Sequence, residues 1–164
     1  MQIAGPFWKN LMSTAIESAS SPSFQYNDGG RREAGFKGDT GDCVTRAIAI
    51  ATELPYKEVY DAMNDLAKNA KITKRTPKKT SARTGMYRDD YQRFLESIGW
   101  EWIPTMKVGS GCQMRLNAKE LPSGRLIAKV SKHLVAVIDG VVHDTEDPSR
   151  CGTRCVYGYF RKRT

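Results

Sequence analysis

Three residue types that together perform acyl transfer occur in order along this chain: Cys43, His133 and Asp144. A cysteine thiolate attacks acyl carbons once an imidazole takes its proton, and a carboxylate can hold that imidazole in the required orientation. Cys43 directly precedes the mainly apolar residues 44–51, which have the spacing of a buried helix. Asp42 suits the N-cap, where we expect its carboxylate to accept hydrogen bonds from the first turn. The helix dipole then favours a thiolate at Cys43.

A predicted hairpin brings the histidine to the aspartate. The pair Asp139-Gly140 separates two β-prone runs and is typical of a two-residue type I′ turn. With that turn, side-chain alternation puts His133 and Asp144 on one face of the sheet, in diagonal positions that an imidazole can span. We therefore expect Asp144 to orient His133, and His133 to take the proton from Cys43.

Another register would assign these roles differently. A three-residue loop or a bulge would exchange the two faces of the hairpin and make His143 the catalytic histidine. Glu146 and Asp147 are alternative orienting acids. The two histidines could also be ordinary members of a half-buried sheet with no catalytic role.

Helical periodicity precedes strand periodicity, which predicts an α+β fold in which N-terminal helices, including the one carrying Cys43, pack on a C-terminal antiparallel sheet. Helices are predicted at residues 55–67 and 87–98, and a short one from Pro6. The predicted strands comprise residues 100–106, 113–116, 125–130, 133–138, 141–145 and 155–160. Residues 1–36 are predicted to be an irregular arm and residues 37–164 a single domain.

Composition limits the possible classes of protein. The 164 residues are 40% hydrophobic and 27% charged, as expected for one soluble domain. The sequence contains neither an export signal nor an apolar run of about 18 residues, so we expect a cytoplasmic protein without membrane contact. In that compartment the four cysteines should be reduced. Cys112, His143, Cys151 and Cys155 form only a loosely spaced zinc set, and we expect neither a metal nor a cofactor.

Positive charge is concentrated in one segment. The formal net charge is +8, and residues 68–83 contain no acid. In residues 71–83, which we call the basic segment, the candidate partner-binding residues are Lys71, Lys74, Arg75, Lys78, Lys79 and Arg83. These side chains are either simply solvated or contact nucleic-acid phosphates or an acidic protein surface.

Residues 41–47 and 132–144 together resemble the papain-like cysteine peptidase superfamily, especially its compact bacterial and viral branches. The resemblance consists of a cysteine that begins a central helix, a later histidine that begins a strand, and an acid on the next strand. It implies a thiol hydrolase, a peptidase or isopeptidase, that acts on a peptide or protein through an acyl-enzyme. Cys43 would be the nucleophile, His133 the general base and acid, and Asp144 the orienting group.

The chain departs from this family upstream of Cys43. Papain-like enzymes usually carry a glutamine a few residues before the cysteine as an oxyanion donor, whereas residues 37–42 contain none. Lys37, Thr40 or Gln25 would have to supply that donor, together with the Cys43 backbone N–H. The alternative is an inactive relative of phage or mobile-element type, which docks its basic segment on nucleic acid or an acidic host protein.

Overall fold

The computed structural model describes residues 23–164, which form three helices and six strands. In chain order these are β1 (Phe24–Tyr26), α1 (Cys43–Thr52), α2 (Tyr56–Asn69), α3 (Arg88–Ser97), β2 (Trp100–Pro104), β3 (Arg125–Val130), β4 (His133–Ile138), β5 (Val141–Asp144) and β6 (Gly158–Lys162). The α+β class predicted from the sequence is confirmed. The helix predicted from Pro6 lies outside the described residues.

The strands form one sheet in the order β1-β5-β4-β3-β6-β2. All neighbouring strands are antiparallel except β1, which runs parallel to β5. The predicted antiparallel arrangement is observed among the C-terminal strands β2–β6, whereas β1 from the arm makes the complete sheet mixed. This three-residue strand adds to the sheet edge, and such a short segment has no periodicity from which it could be predicted.

Two predicted strands differ from the observed structure. Residues 113–116 form no strand and make only an isolated bridge between Arg115 and Cys155. The last strand is Gly158–Lys162 rather than residues 155–160. Both predictions relied on short β-prone segments, and in the structure these segments supply buried side chains, Leu116 and Val156, to a core that loops cover.

The helices cover one face of the sheet and build the core that holds the site. Helix α1 packs between α2 and strands β3 and β4, so nearly all its side chains are buried. Ile48, Met63, Leu95 and Phe160 are completely enclosed in this core. Because α1 contacts neighbours on several sides, its first residue, Cys43, is fixed relative to the sheet.

Loops rather than helices cover the opposite face, and a disulfide between Cys112 and Cys155 crosslinks them. The Cα atoms of the two cysteines lie 5.7 Å apart, which is the usual spacing for such a bond. The expectation of four reduced thiols was therefore wrong, because the fold brings together two cysteines that are distant in sequence. The bond also occupies two of the four supposed zinc ligands, leaving Cys43 and Cys151 as free thiols.

The described part of the arm packs against the domain. The Asn27 backbone N–H donates to the Asp144 carbonyl over 2.9 Å. The Phe36 ring packs against Tyr56 and Tyr60 of α2, with centroids 5.1 and 4.5 Å away. These contacts hold residues 23–36 beside the start of α1.

None of the helices within residues 23–164 is both long and apolar enough to cross a membrane.

Candidate active site

Helix α1 begins at Cys43, as predicted, but Asp42 acts differently from the prediction. Asp42 occupies the N-cap position, yet its carboxylate makes no capping hydrogen bond. It accepts a hydrogen bond from the Tyr56 hydroxyl at 2.6 Å and pairs with Arg31 at 3.1 Å and with Arg46. Because these partners surround the carboxylate, which is almost completely buried, it is not available to the first turn of the helix.

The β4–β5 hairpin has the predicted register. Asp139 and Gly140 have φ angles of 47° and 79°, the positive values that a type I′ turn requires. Ile138 pairs with Val141, and His133 Nε2 lies 2.6 Å from Asp144 Oδ2. The expected proximity of His133 and Asp144 is therefore confirmed.

The other histidine lies away from this pair. His143 pairs with Ala136 on β4 and with Gln25 on β1, and its Nδ1 lies 3.4 Å from the Asn27 side-chain amide. Burial and the nearby charge of Arg125 lower the pKa of His143. This environment favours a neutral imidazole on β5, next to the edge strand β1, with no cysteine beside it among the described contacts.

Cys43 and His133 form a mutually stabilising acid–base pair. Burial of the Cys43 thiol opposes its ionisation, but a hydrogen bond from His133, the charge of His133, a backbone hydrogen bond from Leu134 and the charge of Arg46 outweigh it and lower the Cys43 pKa. Burial also acts against a charged His133, yet its hydrogen bonds to Asp144 and Cys43 raise the His133 pKa to about 9. Both shifts favour a thiolate beside an imidazolium near neutral pH. Since Nε2 faces Asp144, Nδ1 is the ring nitrogen left for the thiol proton.

The surroundings of Asp144 favour its ionised form. Burial disfavours its charge, but the hydrogen bond and charge of His133, the Thr145 backbone N–H and Arg46 lower its pKa. The Thr145 N–H lies 2.7 Å from Oδ1, and Arg46 Nη2 lies 3.1 Å from the same oxygen. These donors hold the Asp144 carboxylate with Oδ2 towards His133.

Sequence reasoning missed Arg46, which connects the two halves of the site. Arg46 lies on α1 three residues after Cys43, and its buried guanidinium contacts both Asp42 and Asp144. It therefore joins the helix that bears the thiol to the strand that bears the acid. The available signal was a single arginine within an otherwise uncharged helix, since a buried cation needs an anionic partner.

A cleft of about 460 Å³ opens beside Cys43. It is lined by Thr40, Gly41, Cys43, Val44, Arg46, Thr84, Gly85, Met86, Tyr91, Lys129, Lys132, His133 and Leu134. The Thr40 hydroxyl is shielded from solvent and has no hydrogen-bond partner within the described residues. An unpaired buried donor beside a nucleophile is available for a substrate oxygen.

The other two oxyanion candidates do not line this cleft. Lys37 borders a neighbouring depression that also contains Arg31 and Arg46. Gln25 lies on β1 and pairs with His143 at the sheet edge. Of the three residues considered from the sequence, the structure brings only Thr40 into the cleft that contains Cys43.

Comparisons with protein-family models, curated proteins and solved structures found no match to this chain. Residues 23–164 also contain no cluster of three or more His, Cys, Asp or Glu side chains that could hold a metal ion. The chemical interpretation of the site therefore depends on its own geometry.

The basic segment lies between α2 and the cleft, and the structure fixes it at its C-terminal end. The Ala82 carbonyl accepts a hydrogen bond from the Thr45 hydroxyl at 3.0 Å, and its N–H donates to the Asn64 side chain at 2.9 Å. Thr84 and Gly85, which follow directly, line the cleft. The segment therefore leads into one wall of the candidate active site.

The six basic candidates are exposed, and no carboxylate lies within 4 Å of any of them in the part of the chain described. Lys79 donates to the Lys68 carbonyl at the end of α2, and Arg83 donates to the Lys37 carbonyl. Their charges consequently face solvent without a neutralising partner.

Proposed function

We propose that this protein is a papain-like thiol hydrolase with Cys43 as nucleophile, His133 as general acid and base, and Asp144 as orienting residue. The observation that carries the proposal is the position of His133, which lines the same cleft as Cys43 and lies with its Nε2 2.6 Å from Asp144 Oδ2. This arrangement is the one that nucleophilic acyl transfer requires.

The reaction follows from these contacts. The Cys43 thiolate attacks the acyl carbon of an amide and forms a carbon–sulfur bond, while the carbonyl oxygen becomes an oxyanion. As the intermediate collapses, His133 gives its proton to the departing amine, the carbon–nitrogen bond breaks, and a thioester remains on Cys43. His133 then removes a proton from water, which attacks the thioester; the carbon–sulfur bond breaks and releases a carboxylic acid.

The proposed oxyanion donors are the Cys43 backbone N–H and the Thr40 hydroxyl. Cys43 begins α1, where backbone N–H groups lack intrahelical partners and the dipole favours negative charge. The Thr40 hydroxyl is unpaired and lines the same cleft. The Thr40 hydroxyl would replace the glutamine that papain-like enzymes usually carry. The proposed substrate is a peptide or protein with an amide or isopeptide bond.

Selective alkylation tests the proposed nucleophile. Near neutral pH, iodoacetamide should label Cys43 on the order of tenfold or more faster than Cys151, because only Cys43 has an imidazole partner. His133→Ala should remove most of this difference, whereas the matched control His143→Ala should preserve it. Equal labelling of the two free thiols in the native chain would exclude an activated Cys43.

Hydrolysis of an activated peptide ester tests the acyl-enzyme itself, because an acyl-enzyme that accumulates gives an initial burst of product.

The unneutralised charge of the basic segment favours a second candidate function, in which the fold docks on a polyanion. Such a surface would bind nucleic-acid phosphates without sequence preference and with steep salt dependence. The test is binding to a mixed-sequence duplex at several salt concentrations, using a variant with glutamine at Lys74, Arg75, Lys78 and Lys79. Lys57→Gln, which removes an exposed lysine from α2, is the matched control. Equal binding by the native chain and the fourfold variant would contradict this function; binding to polyglutamate alone would redirect it to an acidic protein.

A further inference from the structure

The cleft around the candidate nucleophile carries an excess of positive charge. The cleft lining includes the cations Arg46, Lys129 and Lys132, and no aspartate or glutamate. Arg46 is neutralised by the two buried carboxylates that it bridges. In residues 23–164 neither lysine has a carboxylate within 4 Å.

Lys129 is the more informative of the two lysines because the sheet fixes its position. It lies on β3, where it pairs with Leu134 of β4 and with Gly158 of β6. Alternation along β3 puts it on the same face as Ile127, which belongs to the helix-covered core. Its side chain is half-buried and lines the cleft with Cys43.

The charged groups around Lys129 leave its ammonium without a carboxylate partner within the described residues. Burial lowers the Lys129 pKa; of the neighbouring charges, only the Cys43 thiolate raises it, whereas the cations Arg88 and Arg154 lower it further. No hydrogen bond from its Nζ occurs within the described residues. Two other partly buried cations do have carboxylate partners, since Arg31 pairs with Asp42 and Arg125 with Glu53. A half-buried ammonium without a carboxylate partner is costly, and an anionic ligand would reduce that cost.

We infer that Lys129 is a specificity residue that binds a carboxylate of the substrate beside the scissile bond. This inference depends on the proposed hydrolase and identifies its substrate class as an acidic peptide. Lys132, exposed at the cleft and directly before His133, adds positive charge on the same hairpin end. The carboxylate belongs either to an Asp or Glu side chain or to a free C-terminus, and both sources present the same group to Lys129.

A pair of matched probes tests whether the substrate carboxylate comes from an acidic side chain. Two peptidyl acyloxymethyl ketones that differ only in Glu or Gln at the residue next to the electrophile are reacted with the native chain. The Glu probe should label Cys43 on the order of tenfold faster, since hydrogen bonds between charged groups discriminate to about that degree. Lys129→Gln should bring the Glu/Gln rate ratio close to one, whatever its effect on the absolute rates. Lys119→Gln, an exposed lysine in the loop over the opposite face, should retain the native ratio.

Charge reversal and a second substrate pair complete the test. Lys129→Glu should favour a probe with Lys at the same position over the Glu probe, and such a gain cannot come from misfolding. A second pair of substrates tests whether the carboxylate comes from a free C-terminus. Each has one residue after the scissile bond, and that residue ends in a free carboxylate in one substrate and in an amide in the other; their rates of hydrolysis are compared. A native preference in either pair that Lys129→Gln abolishes supports the inference. Equal rates in both native pairs, or unchanged preferences in Lys129→Gln, would overturn it.

The inference and the proposed hydrolase can fail separately. Rapid labelling of Cys43 by all probes, with no preference for a carboxylate, would leave the hydrolase intact and remove the role of Lys129. If Cys43 proves inert, the hydrolase fails, and the subsite is tested by equilibrium binding of Glu- and Gln-containing tetrapeptides to the Cys43→Ser protein. Equal affinities there would also exclude a carboxylate subsite.

Discussion

Arg46 Nη2 donates to Asp144 Oδ1 over 3.1 Å, although 98 residues separate the two in sequence. The same guanidinium pairs with Asp42, which directly precedes Cys43. Asp144 in turn accepts from His133. A continuous line of charged groups therefore connects the start of α1 with the end of β5, and its geometry sets the relative positions of thiol and imidazole.

Arg46→Met should destabilise the protein by about 3–5 kcal/mol, because it leaves two buried carboxylates without their shared cation. Urea unfolding at neutral pH measures this free energy. Adding Asp42→Asn to the same variant should restore part of the loss, since one of the orphaned charges is then absent. The control Lys57→Met removes an exposed ion pair and should cost no more than about 1 kcal/mol. Equal losses in Arg46→Met and Lys57→Met would contradict the buried network.

Asp144→Asn should lower the His133 pKa from about 9, because it removes the negative charge beside the imidazolium and replaces a carboxylate acceptor with a weaker, neutral amide oxygen. The chain has only two histidines, so two imidazole titrations are expected by NMR. In the native protein, one midpoint should lie near 9 for His133 and one below 6.5 for His143. Asp144→Asn should move only the first. A high midpoint that persists in Asp144→Asn would show that another group holds the proton on His133.

The same shift predicts how stability depends on pH. A raised folded-state pKa contributes stability that is fully present below the unfolded value of 6.5 and is lost as the pH rises through about 9. The difference in unfolding free energy between the native protein and His133→Ala should therefore be larger at pH 6 than at pH 9.5. Denaturant titrations at the two pH values measure it. A difference that grows with pH would contradict an imidazolium at this position.

Thr40→Val should slow hydrolysis of an activated ester by about 10- to 1,000-fold, because it removes one oxyanion donor without changing side-chain shape. Alkylation of Cys43 by iodoacetamide forms no oxyanion and should slow far less. Thr40→Ser, which keeps the hydroxyl, should retain most of the hydrolysis. Unfolding should be little affected, since the lost hydroxyl has no partner within the described residues. Equal slowing of both reactions would indicate a role in thiol reactivity instead.

Cys112→Ser should lower the free energy of unfolding by about 2–4 kcal/mol, because the disulfide with Cys155 closes a loop with a sequence separation of 43. Cys151→Ser removes an exposed free thiol and should leave stability nearly unchanged. Thermal unfolding with and without reductant measures both variants, and reductant should destabilise the native protein and Cys151→Ser but not Cys112→Ser. An insensitive native protein would show that the bond does not contribute.

The sequence by itself determined the parts of the site that depend on local rules. The Asp139-Gly140 turn set the hairpin register, and strand alternation then placed Asp144 within reach of His133, since both rules act over a few residues. Apolar periodicity likewise predicted the three observed helices and the position of Cys43 at the start of α1.

Only the tertiary structure decided how these local elements are connected. It directed the Asp42 carboxylate to Tyr56, Arg31 and Arg46 instead of the helix N-terminus. It also brought Thr40, and neither Lys37 nor Gln25, into the cleft, and joined Cys112 to Cys155. These outcomes depend on which groups become buried together, and burial partners that lie far apart in sequence leave no periodic signal. The start of α1 was therefore readable from the sequence, whereas the ionic network that connects it to the sheet was not.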